Sequence, residues 1–244
     1  SLCLDEAFES LPPTGESIGV DLGINRLATL SDGGRIANPK HSAKWQKKLA
    51  KAQREFSRKT KGSKRREKAR LKVARIHARI ADARLDHLHK ITTDLVRRFD
   101  VIAIEDLNVR GMVRNHCLAR SISDASFGSF RSLLDYKCKR YGKQLVAIDR
   151  FFPSSKTCSH CGAVQSHMAL VVRSWQCACG ATHDRDENAA KNILNFAMGH
   201  IAAQVNDLRY ARGELVDMVQ FRLRRARFDE TRIPRIYARG VSMR

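Results

Sequence analysis

Two short apolar runs in this chain end on carboxylates: Ile18-Gly19-Val20-Asp21-Leu22 and Val101-Ile102-Ala103-Ile104-Glu105-Asp106. Runs of this length, rich in β-branched residues and bounded by turn signals, read as strands, and the second reads as a buried one. A third acidic group, Asp184-Arg185-Asp186-Glu187, opens a segment that reads as a helix. One carboxylate alone means little. Two at strand ends and one at a helix start is how a two-metal, phosphodiester-cleaving site draws its ligands from distant parts of a chain.

The segments between these acids follow a definite order. Ser17 to Leu30 reads as strand, tight turn and strand, with Gly23 and Asn25 supplying the turn; Ser31-Asp32-Gly33-Gly34 is a second turn and Arg35 to Asn38 a short third strand. From His41 to Phe99 the pattern becomes helical, and Lys61-Gly62-Ser63 breaks it into a pair. In the second helix Leu71, Ala74, Ala78, Ala81, Leu85, Leu88 and Leu95 recur at three- and four-residue spacing, which predicts its buried seam. After the strand ending at Asp106 come a helix over 124–141, a strand over 144–149, a cysteine-rich module over 151–182 and a helix over 186–198. This is the element order of an α/β, RNase H-like domain, formed by 17–150 with 183–198, into which the basic helical pair and the cysteine module are inserted.

The net charge is +21, a surface that attracts polyanions and nucleic acid above all. The charge is concentrated: residues 40–90 hold 19 Lys and Arg against 4 Asp and Glu. Pairing at i,i+4 cannot neutralise so one-sided a helix pair, and a phosphate backbone is the natural counter-charge. The candidate nucleic-acid contacts are Lys47, Lys48, Lys51, Arg54, Arg58, Lys61, Lys64, Arg65, Arg66, Lys68, Arg70, Lys72 and Arg75. No run approaches the roughly 18 apolar residues of a spanning helix, and no charged-then-apolar leader opens the chain. A cytoplasmic protein with no membrane partner is expected. Seven cysteines agree with a reducing compartment.

Four of those cysteines, Cys158-x2-Cys161, a gap of 15, then Cys177-x-Cys179, follow a zinc-ribbon pattern with knuckle turns at Gly162 and Gly180. The second knuckle is one residue short, and His160, His167 or His183 could stand in for a misplaced thiol. Four protein ligands leave no open coordination position, so the Zn²⁺ is expected to be structural. The acid site instead asks for a hard ion, Mg²⁺ or Mn²⁺, with carboxylate ligands. Each acid also has a plainer reading. Asp21 could support the turn after it, Asp106 competes with Glu105, and Asp184 or Asp186 could simply cap the helix.

Four motifs in order carry a family resemblance. Gly19-Val20-Asp21-Leu22-Gly23, Ile104-Glu105-Asp106-Leu107-Asn108, Phe152-Pro153-Ser154-Ser155-Lys156-Thr157-Cys158 and Asp184-Arg185-Asp186-Glu187-Asn188-Ala189-Ala190 resemble the TnpB proteins of insertion sequences, relatives of the type V CRISPR effector nucleases. The resemblance, over roughly residues 1–198, implies a RuvC-like nuclease with an inserted zinc ribbon, cutting target DNA under a guide RNA from the transposon end. By motif the catalytic acids would be Asp21, Glu105 and Asp186, with Asp184 the lesser candidate, and the basic pair would lie along the guide–target heteroduplex. Family members carry a large region before the first motif. Here 1–16 is read as its last strand and a linker, making the chain N-terminally truncated. The segment 199–244, with ten Arg and no Lys, is read as an atypical basic tail. Two other readings are a binding protein that keeps the fold without cleaving, and an actin-like ATPase or sugar kinase suggested by Ile-Gly-Val-Asp-Leu-Gly. The second needs a duplicated fold and another glycine-rich loop that the sequence does not show.

Overall fold

The computed structural model describes residues 9–169 and 171–211. The expected remnant strand near the start, and most of the expected basic tail, lie outside the described residues. Three strands open the fold, β1 Ser17–Leu22, β2 Arg26–Leu30 and β3 Arg35–Ala37, followed by helices α1 His41–Ser57 and α2 Lys64–Arg98. Strand β4 is Val101–Glu105, helices α3, α4 and α5 span Val109–Met112, Ala119–Ala125 and Phe127–Tyr141, and β5 is Gln144–Ile148. A small hairpin, β6 Ser174–Gln176 and β7 Thr182–Asp184, leads into α6 Arg185–Ala211. None of the described helices is long and apolar enough to cross a membrane.

The main sheet has the order β3-β2-β1-β4-β5. Its first three strands form antiparallel hairpins, and β4 and β5 run parallel to β1. Side chains alternate across a strand, so each strand feeds two layers. Ile18, Val20, Ile102 and Ile104 point to one face, where Leu88, Leu95 and Val96 of α2 and Phe127, Phe130 and Leu134 of α5 close the larger core. Gly19, Asp21, Ala103 and Glu105 belong to the other face, which α6 covers: Ala103 and Ile148 pack there against Ile193 and Ala197.

The helical pair divides where the sequence indicated. Gly62 takes φ 79° and the Ser63 hydroxyl accepts the Arg66 amide, capping α2. The expected seam is only partly observed. Leu88 and Leu95 are buried, but Leu71 and Leu85 remain 41% and 47% exposed and Ala74, Ala78 and Ala81 face solvent. Helix α1 instead docks on the neighbouring stripe, where Ala52 packs with Ile76 and Ile80, flanked by Trp45, Leu49 and Val73. Asp124 ties the pair to the body: it accepts the Ser42 amide and hydroxyl and pairs with Arg84 at 3.0 Å. The helix expected over 124–141 is two helices. Ser126, at φ 54°, ends α4 and starts α5. The last helix runs past 198 to Ala211.

Candidate acidic site and four-cysteine module

Parallel pairing sets Gly19 beside Ala103 and Val20 beside Ile104. One step further along the two strands, Asp21 and Glu105 leave their C-terminal ends on the same face. That is the edge where open α/β sheets hold their ligands. Helix α6 crosses the same face closely because Gly19 has no side chain; a Cβ there would lie 2.0 Å from the Ala190 carbonyl oxygen. The crossing brings the first turn of α6, and Asp186 with it, to the acids.

Burial raises the Asp21 carboxyl well above its usual range, and the nearby Glu105 and Asp186 charges raise it further against a smaller lowering by Arg185. Burial also raises Glu105, opposed by a hydrogen bond from the Ser154 hydroxyl to its Oε1. Glu105 and Asp186 thus lie near enough to act on Asp21, and the three acids make this end of the sheet anionic. Their donors are all hard carboxylate oxygens, the type that suits a divalent ion such as Mg²⁺ or Mn²⁺.

The neighbouring acids have other partners. Asp106 is bound by Arg131 and, at 2.5 Å, by Arg150, and these hydrogen bonds hold its carboxyl below the usual range. Asp184 Oδ1 accepts the amides of Asp186 and Glu187, each at 3.1 Å, and so caps α6; its other oxygen pairs with Arg35 at 3.3 Å. Asp186 meets Arg173 at 3.6 Å.

The four cysteines are gathered. The Sγ atoms of Cys158, Cys161, Cys177 and Cys179 all lie within 4.8 Å of one another, the only metal-competent group of this kind among the described residues. Four soft thiols in that span suit zinc. The short second knuckle still closes because Gly180 adopts φ 89°, with the Cys177 amide donating to the Ala181 carbonyl and the Gly180 amide to Cys177. No histidine is needed to complete the set. His183 Nε2 lies 3.0 Å from Cys158 Sγ as a neighbour, while His160 and His167 are exposed. Burial pushes the Cys158 thiol up to about 12, and the Ala163 amide draws Cys161 down to about 7.

The basic residues lie elsewhere. Helix α2 and α6 cover opposite faces of the sheet, so α1 and α2 do not line the acids. Lys47, Lys51, Arg54, Arg58, Lys61, Lys64, Arg65, Lys68 and Arg75 are exposed, without an acidic partner among the described residues, and Lys48 is exposed over the Trp45 ring. Three candidates are engaged: Arg70 with Glu67, Lys72 with Glu55, and Arg66 with the Lys59 carbonyl and the Phe56 ring.

Sequence reasoning missed Ser154, Asn188 and Asn192. All three are buried, and the asparagine amides clasp the start of the cysteine module: Asn188 donates to the Thr157 carbonyl, and Asn192 to those of Ser154 and Thr157. Ser154 and Asn188 stand inside two of the quoted motifs, but their partners are 49 and 31 residues away in sequence.

These features define a mixed α/β protein with a carboxylate cluster at the ends of its parallel strands and a four-thiol module beside it. Residues 2–116 match the family model described as "Probable transposase", and residues 127–193 match "Cas12f1-like, TNB domain". A protein of Streptomyces pristinaespiralis named "Putative RNA-guided DNA endonuclease" is 53% identical over 207 residues, 85% of this chain and 51% of its own length. One of Escherichia coli K12, "Putative RNA-guided DNA endonuclease InsQ", is 34% identical over 236 residues, 88% of this chain and 58% of its own. A chain in the cryo-EM structure of a Cas12f1–sgRNA–target DNA complex shares the fold at TM-score 0.54 and 16% identity, over 76% of this chain and 51% of that one. This chain is thus similar, along most of its length, to relatives named for RNA-guided DNA cleavage and, over part of it, to TnpB-like proteins, and it spans about half the length of the curated relatives it matches.

Proposed function

We propose that the chain carries the nuclease centre of an RNA-guided DNA endonuclease: a RuvC-type, RNase H-like domain interrupted by a basic helical pair over 41–99 and a zinc ribbon over 151–182. The observation that carries this reading is the approach of Glu105 and Asp186 to Asp21, three hard donors drawn from β4, α6 and β1. Asp21, Glu105 and Asp186 would hold the divalent ions. When bound, such ions supply a water acidic enough to attack at neutral pH and charge to offset the leaving oxygen. Asp184 and Asp106 keep separate roles, the first capping α6 and the second pinning Arg131 and Arg150. The four thiols would fill a zinc ion's coordination and hold the ribbon without chemistry of their own.

The relatives named for RNA-guided DNA cleavage support guide RNA and target DNA as partners. The lysines and arginines of α1 and α2 that have no acidic partner among the described residues suit a backbone read by charge and shape. Arg173 and Arg35, each beside an acid at 3.6 and 3.3 Å, are placed to meet phosphate oxygens near the cluster.

The test is co-expression with RNA from the transposon end, followed by Mg²⁺-dependent cleavage of matched DNA. Cleavage by the parent chain that is lost in Asp21→Ala is expected. Tight, salt-dependent binding without any cleavage by the parent would instead favour a nucleic-acid-binding protein that keeps the fold.

A further inference from the structure

The cysteine module touches the acid cluster at two points, and both lie within 151–182. The Ser154 hydroxyl donates to Glu105 Oε1, and the Arg173 guanidinium faces Asp186. Ser154 cannot drift: it is 6% exposed, and its carbonyl accepts the Asn192 amide at 2.7 Å. The same Asn192 amide reaches the Thr157 carbonyl at 2.6 Å, directly before Cys158. Asn188 completes the clasp, donating to the Thr157 carbonyl at 2.7 Å and accepting the Ser159 amide at 2.9 Å. The segment 153–159 is therefore fastened to α6 on one side and to the thiols on the other, with Asn188 bonded through both its amide nitrogen and its oxygen and Asn192 giving its amide to two carbonyls. A side chain with three rotatable torsions, such as Glu105, gains one orientation from a fixed donor.

We propose that the four-cysteine module is a positioning device for the acid site, acting through Ser154, whose hydroxyl fixes the orientation in which Glu105 presents its remaining oxygen to a divalent ion. This rests on the reading of Asp21, Glu105 and Asp186 as the holders of that ion. Ser154 is a positioning residue in this scheme. A serine has one proton to give; spending it on Oε1 leaves Oε2 free and turned by the constraint on its partner. The zinc-held knuckle matters because it anchors the far end of the strap that carries the serine.

Mn²⁺ binding to the full chain, followed by electron paramagnetic resonance, with zinc content by atomic absorption, tests this. Ser154→Ala is expected to weaken Mn²⁺ binding about tenfold, within the range for loss of an outer hydrogen bond to a metal-binding carboxylate, with zinc retained. Ser154→Thr, which keeps the hydroxyl, is expected to restore it to within about threefold. Cys179→Ala, at an exposed thiol, is expected to lose zinc and to weaken Mn²⁺ binding by a similar factor. Parental Mn²⁺ affinity in Ser154→Ala, or in a zinc-free Cys179→Ala, overturns the proposal. Asp21→Ala separates the two levels. If it abolishes Mn²⁺ binding while Ser154→Ala changes nothing, the acid site stands and only the positioning role fails. If Asp21→Ala leaves binding intact, both fall.

Discussion

At Gly19 the absence of one methyl group sets the geometry of the acid site. The Cβ of an alanine there would stand 2.0 Å from the Ala190 carbonyl oxygen and 2.9 Å from Leu194 Cβ, so the obstacle is backbone and cannot rotate away. Gly19→Ala is expected to cost about 3 kcal/mol, the upper end of overpacking penalties, and to push α6 off β1. Gly199→Ala, on the exposed part of α6 with open space around it, is expected to gain about 0.5–1 kcal/mol. Urea midpoints of the two variants check both signs; an unchanged midpoint for Gly19→Ala would mean that α6 packs more loosely than described. Asp21 and Glu105 were legible because an acid closing an apolar run stands out. The family motifs already preferred Glu105 to Asp106 and Asp186 to Asp184; what the sequence could not give is the partners, two arginines on Asp106 and two helix amides on Asp184.

Among the elements, α2 shows where periodicity runs out. Leu71, Ala74, Ala78, Ala81 and Leu85 recur as well as Ile76 and Ile80 do, and a helical spacing cannot say which of two adjacent stripes receives the partner. Docking of α1 decided it, and that contact is not local in sequence. The break at Ser126 was equally hidden, since the left-handed residue is a serine and the nearby Gly128 sits inside the first turn of α5. The start of β4 offers an element-scale prediction. Asp100 accepts the Thr14 and Gly15 amides and pairs with Lys143 at 2.5 Å, lashing the segment before β1 to the strand. The Lys143 hydrogen bond, then those amides, hold the Asp100 carboxyl far below its usual value. A carboxyl depressed in the folded state stabilises fully above its unfolded pKa, about 4, and loses that contribution as pH falls below it. Thermal midpoints measured from pH 6 to pH 2 are expected to fall less steeply for Asp100→Asn than for the parent below pH 4. Parallel curves would remove Asp100 from the acid response.

For the whole molecule, charge and chemistry sit on opposite faces of one sheet. Helix α6 and the acids occupy one side, and α2 with its exposed cations roots on the other. Under the proposed function, a strand of nucleic acid lying along α1 and α2 would have to pass round the sheet edge to reach the acids, so affinity and cleavage should separate by mutation. The charge excess was legible from composition; its distance from the acids was not, because it depends on which face each helix covers. Lys47, Lys51 and Arg54 are exposed on α1 without acidic partners among the described residues. If each meets a phosphate, their joint replacement by Gln removes about three counterion-releasing contacts, and the slope of log affinity against log salt should fall by roughly 2–3. The loss should be uniform across sequences, since phosphate contacts position and do not read bases. Cleavage under saturating nucleic acid should stay close to that of the parent, while Asp21→Ala should show the reverse, full binding with an unchanged salt slope and no cut. A triple variant with the parental slope would place the nucleic acid on another surface of the chain.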